Sequence, residues 1–147
     1  MGMVEGLWAA GQMPGCDGLY RSDDTGLELY VDGPGEYHPD AGQPIPFEIG
    51  EPFDVGEAIA ECGGEHVSTD FESPLPDGSG LMSGGGAWRM GNFGYLARLN
   101  SDGSLRWVAV MYLSNPFTGV RYQGMTAVFT NDWRNRLTLD LTSPALR

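Results

Sequence analysis

Apolar and polar residues alternate over several short stretches of the chain. Leu27, Leu29 and Val31 alternate with Glu28 and Tyr30, and Val67, Thr69 and Phe71 with Ser68, Asp70 and Glu72. That period of two puts one face of a strand on a core and the other in water. Residues 18 to 22 and 27 to 31 flank a turn at Asp23-Asp24-Thr25-Gly26 and predict a hairpin. Residues 47 to 49 predict a short edge strand, because Pro44 and Pro46 cannot donate to a ladder. From Gly80 onward strands are predicted at 87–90, 94–100, 105–113, 120–122, 125–130 and 136–141. Ser101-Asp102-Gly103-Ser104, Gln123-Gly124 and residues 131 to 135 supply the turns. The stretch 105–113 is apolar on both faces, as a central strand must be, whereas Leu137, Leu139 and Leu141 alternate with Arg136, Thr138 and Asp140.

One short helix interrupts this pattern. Val55, Ile59 and Cys62 share a helical stripe, Asp54 can cap it, Glu57 suits its first turn, and Gly63-Gly64 stops it. The expected fold is mainly β (α+β with one short helix), an antiparallel meander curling into a partly closed barrel or a compact sandwich. Residues 32 to 46 read as an irregular loop and Gly78 to Gly86 as a flexible glycine-rich one. A single domain is expected over residues 1–147, acidic over residues 1–80 and a β-meander over residues 81–147.

The charge sharpens that division. The chain carries 20 acids and 8 bases, all arginine, for a net charge of −12. Up to Gly80 there are 17 acids and one arginine, Arg21, and after it Asp102, Asp132 and Asp140 face seven arginines. Such a field repels phosphate backbones and anionic lipid, so neither nucleic acid nor membrane is an expected partner, and a basic protein is. No apolar run is long enough to span a bilayer, and the N-terminus lacks the basic region of a signal peptide, so a cytoplasmic setting is expected, with Cys16 and Cys62 as free thiols.

Catalytic chemistry finds little support. His38 and His66 are the sole imidazoles, and Cys62 with His66 lacks a third, orienting group. Cys16, His38, Cys62 and His66 lack the tight spacing of a zinc site, and the acidic runs Glu36-His38-Asp40 and Glu65-His66-Asp70 do not form a calcium loop, so no metal or other cofactor is expected. The glycine run has no Gly-Lys-Ser/Thr ending and precedes a strand, which excludes a phosphate loop.

The sharpest candidate is the acidic ridge of Asp54, Glu57, Glu61, Glu65, Asp70 and Glu72, with three glutamates spaced by four. Like charges at that spacing weaken a helix and suit a basic partner surface. In overall profile, a short, lysine-free, acidic chain without a catalytic motif resembles the bacterial immunity proteins that neutralise toxins and the phage proteins that block host enzymes. That resemblance implies a non-enzymatic inhibitor of a basic toxin or enzyme. The alternative is a small β-barrel holding an apolar or aromatic ligand against Trp88, Phe93, Tyr95, Trp107 and Tyr112.

Overall fold

The computed structural model describes residues 1–31, 41–88 and 90–147. Most of the loop expected from residue 32, with Glu36, His38 and Asp40, and also Arg89, lie outside the described residues. Helix α1 (Met3–Ala9) opens the chain. β1 (Gln12–Pro14), β2 (Gly18–Arg21), β3 (Gly26–Val31), β4 (Phe47–Phe53), β5 (Gly64–Pro74), β6 (Gly80–Ala87), β7 (Met90–Asn100) and β8 (Leu105–Met111) follow, with α2 (Val55–Cys62) between β4 and β5. These eight strands form one open antiparallel sheet in the order β1-β5-β6-β7-β8-β2-β3-β4. β9 (Phe117–Gln123), β10 (Thr126–Asn131) and β11 (Arg136–Asp140) form a second antiparallel sheet, and a 3-10 turn, Pro144–Leu146, ends the chain.

The mainly β fold follows from the alternation, and β8 is the interior strand that its two apolar faces require. Trp107, Ala109 and Met111 point into a core shared with the three-stranded sheet, through Phe117, Phe129, Leu137 and Leu139. Val108 and Val110 point into a second core shared with the helices, through Val4, Trp8, Val55 and Ile59. The molecule is therefore layered as helices, large sheet, small sheet. The large sheet curls around the helices, because Met13 of β1 and Phe53 of β4, from opposite ends of the strand order, pack into the same core. Burying each large apolar side chain in these layers stabilises the fold by about 1.5–3 kcal/mol.

Four expectations are corrected. The glycine-rich stretch expected to be a loop is β6, paired with β5 and β7. Glycine has poor strand propensity, but a side chain at Gly84 would strike the Phe71 ring, and one at Gly85 or Gly86 would strike the carbonyl of Ser68 or Phe93. A second helix, α1, exists without a local cap. The carboxylate of Asp24, in the β2–β3 turn, accepts from Met3 N–H (3.1 Å) and Val4 N–H (3.0 Å) instead. The edge strand is longer than expected, seven residues rather than three. Cys16 and Cys62 are joined in a disulfide, not free.

Candidate functional site

Helix α2 begins as the sequence predicts. Asp54 Oδ1 accepts from Glu57 N–H at 3.0 Å, Val55 is buried, and the helix stops at Gly63, whose φ of 68° suits glycine. At its far end the disulfide ties Cys62 to Cys16, with Cα atoms 5.8 Å apart, and Gly15 N–H donates to the Gly63 carbonyl at 3.0 Å. The helix thus crosses from the end of β4 to the start of β5, bridging the two ends of the curled sheet.

The predicted ridge divides along this path. Asp54, Glu57 and Glu61 stand exposed on α2. Glu65 does not continue the helix: it lies on β5, in register with Met13 of β1, because Gly63 and Gly64 turn the chain into a strand. Asp70 sits at a β-bulge, exposed, and its carboxyl is held above the usual carboxylate range by partial desolvation and then by the charge of Asp132 in the β10–β11 turn. Glu72, exposed, is in register with Ser83. Asp70 and Glu72 are therefore separated from the α2 carboxylates by most of β5.

A second acidic cluster, which sequence reasoning missed, lies on the strands that lead into α2. β4 runs directly into α2, and its partner β3 carries Glu28 and Tyr30 on the side away from the sandwich core. The Tyr30 hydroxyl donates to Glu28, and Tyr30 remains 55% exposed. Its phenol is raised above the ordinary tyrosine value by that bond and by the charges of Glu28, Glu48 and Glu51. The alternation placed Glu28 and Tyr30 on a polar face, but their proximity to Glu48 and Glu51 depends on the β3–β4 register.

The arginines behave oppositely. Arg21, Trp107 and Arg98 stand in register across β2, β8 and β7. Arg21 Nη2 donates to the Ala145 carbonyl (2.9 Å), Trp107 Nε1 to that of Leu146 (2.9 Å), and Arg98 Nη1 to those of Leu141 (3.0 Å) and Leu146 (2.9 Å). Arg106 donates to Asn100 Oδ1, Arg136 to the Gly42 carbonyl and Arg147 to the Thr142 carbonyl. These five arginines thus direct their hydrogen bonds to neutral oxygens rather than to carboxylates.

The five aromatic residues of the alternative site do not converge. Trp107 belongs to the core under the small sheet, and Phe93 and Tyr95 to the core under the helices. Tyr95 is held there by Thr69 and Ser83, at 2.8 and 3.0 Å from its hydroxyl. Trp88 and Tyr112 are 68% and 45% exposed, with Tyr112 packed 6.1 Å from Phe93 between ring centres. Among the described residues the large sheet is open and encloses no barrel interior for them to line.

Among the described residues, no group of three or more His, Cys, Asp or Glu is placed to hold a metal ion, and no helix is long and apolar enough to cross a membrane. Compared with family models, curated proteins and solved structures, the chain matches none.

Proposed function

We propose that the chain is a non-enzymatic, acidic protein-binding module that inhibits or neutralises a basic partner protein. The observation that carries this reading is the unequal use of charge. Acids on α2 and around Tyr30 face water, while Arg21 and Arg98 are turned inward onto backbone carbonyls, so these two positive charges are withdrawn from the surface and the acidic excess there is the larger for it. The contact surface is Asp54, Glu57 and Glu61 together with Glu28, Glu48 and Glu51. An exposed tyrosine among them adds a flat face on which an arginine or lysine of the partner can stack. A field of this kind speeds encounter and rejects acidic competitors.

The disulfide bears on where this takes place. A reducing cytoplasm keeps thiols unpaired, so the Cys16–Cys62 bridge supports an oxidising compartment over the cytoplasmic setting expected from the sequence.

The test is capture of basic proteins from a source lysate at low and high salt, by the native chain and by a variant with Glu48→Gln, Glu51→Gln, Glu57→Gln and Glu61→Gln. We expect the native chain to retain one basic protein in equal stoichiometry, released by salt, and the variant to hold it at least tenfold more weakly while remaining as stable as the native chain. Equal retention by both proteins overturns the reading.

A further inference from the structure

The two sheets are joined along one edge by the chain itself. Residues 42 to 45 run parallel beside β11 through one isolated bridge, Pro44 to Arg136: Gly42 N–H donates to the Arg134 carbonyl (2.9 Å), Arg136 N–H to that of Gln43 (2.9 Å), and Ile45 N–H to that of Arg136 (2.7 Å). Pro46 has no N–H with which to continue, and the chain leaves β11 for β4 in the other sheet. Backbone groups of a strand face its two edges alternately. Since Arg136 faces outward to this segment, Thr138 does too, and it aims its N–H and C=O into the seam that the departing chain opens.

That seam has a shape and a charge. A shallow, open groove of about 350 Å3 lies between β4 and β11, with Phe47, Ile49, Leu139 and Leu146 as its apolar wall and Glu48 and Asp140 among its polar lining. Asp140 is kept ionised by Thr142, whose hydroxyl and N–H donate to its carboxylate at 2.6 and 2.9 Å. β4 is the last strand of its sheet, so the seam is flanked by the edges of both sheets.

We propose that this seam takes an extended segment of the basic partner, laid as an added strand on β11 at Thr138, with alternate apolar side chains against Phe47 and Ile49 and alternate lysines or arginines against Glu48 and Asp140. The inference rests on the acidic docking reading above and names the part of the partner that is held. The segment 42–45 is the chain's own precedent, since it adds to the same edge one step earlier. Edge pairing supplies main-chain hydrogen bonds, and alternation supplies selectivity. Partners that are basic but folded throughout, with no extended segment to donate, fit the acidic face without entering the seam.

The experiment is an NMR titration of the isotope-labelled full chain with the capped peptide Lys-Val-Lys-Val-Lys-Val, and with the same peptide N-methylated at alternate residues. N-methylation retains the charge but prevents strand pairing. We expect saturable shifts at the amides of Thr138, Asp140 and Phe47 to Ile49, binding at least tenfold weaker for the methylated peptide, and a severalfold loss in Glu48→Lys, an exposed position whose reversal leaves the core intact. Binding should be little changed in the Glu57→Gln, Glu61→Gln variant. Equal affinity for both peptides overturns the inference. Shifts confined to α2 and the Tyr30 face also overturn it while leaving the acidic docking reading in place. Concentration-dependent broadening of the seam amides without peptide would assign the seam to a second copy of this chain and overturn the proposal as well.

Discussion

The C-terminal turn and the surface of α2 show two ways of placing charge in one small protein. At the turn, Arg98 is 4% exposed and its guanidinium is received by the carbonyls of Leu141 and Leu146, beside the indole of Trp107. On α2, Glu57 and Glu61 stand one helical turn apart in water, with no basic residue in the last turn of the helix. The arginine end uses its charge to hold the chain's own backbone, where low polarity strengthens each bond and makes its loss expensive. The acidic end leaves its charge to solvent, where it adds little to stability and is available to a partner. The difference separates residues that maintain the fold from residues that can be changed without unfolding it.

The largest effect should come from breaking the arginine end. Trp107 is fully buried, so Trp107→Ala should cost about 3–5 kcal/mol in urea denaturation. Arg98→Ala should cost about 1–3 kcal/mol, since the Leu141 carbonyl loses its donor while that of Leu146 keeps the Trp107 indole, whereas Arg98→Met, which keeps the stem, should recover the packing part of it. A loss well under about 1 kcal/mol in Arg98→Ala would remove the contrast with α2.

A smaller effect should follow at the acidic end when its covalent tie is cut. The disulfide closes a loop between residues 46 apart in sequence, and its reduction, or Cys16→Ser with Cys62→Ser, should cost about 2–4 kcal/mol. Hydrogen exchange should then show α2 losing protection while the Pro144–Leu146 turn keeps its own. Simultaneous loss at both sites would mean that the two regions are one cooperative unit.

The smallest effect concerns titration of the exposed turns. Asp23, Asp77, Asp102 and Asp140 each accept from the hydroxyl and the N–H of the residue two positions on, which lowers their carboxyls below the usual range. A carboxyl lowered in the folded state contributes stability above its unfolded pKa of about 4 and loses that contribution as pH falls through the folded value. Asp17 has the opposite sign. Burial raises it despite the Tyr112 N–H that it accepts at 2.8 Å, so its charged form disfavours folding at neutral pH, and the penalty fades as pH falls. Asp77→Asn with Asp102→Asn should therefore flatten the acid limb of a stability–pH curve, and Asp17→Asn should steepen it. Parallel curves for all three proteins would contradict this assignment.

Much of the architecture was legible in the chain because its cause is local. Alternation at Leu137, Leu139 and Leu141, two-sided apolarity at β8, and the Asp54 cap with its glycine stop each depend on neighbours a few residues away. The Gly80–Ala87 strand was misread because its reason lies elsewhere: Phe71 and the carbonyls of Ser68 and Phe93 occupy the space that side chains would fill. The same is true of α1, capped by Asp24 from the distant β2–β3 turn, and of the disulfide, whose cysteines meet once α2 has bridged the curled sheet.

Of the candidate site, Asp54, Glu57 and Glu61 could be read from sequence, since a helix surface is set by its own period. Adding Glu28, Glu48 and Glu51, and separating Glu65, Asp70 and Glu72, required strand register and the turn at Gly63, which long-range pairing decides. By itself the sequence determined a β-rich fold, one capped helix and an excess of negative charge, because propensity, period and composition are properties of the chain. Tertiary structure alone decided which charges reach water and which hold carbonyls, because that choice is made by which strands lie side by side.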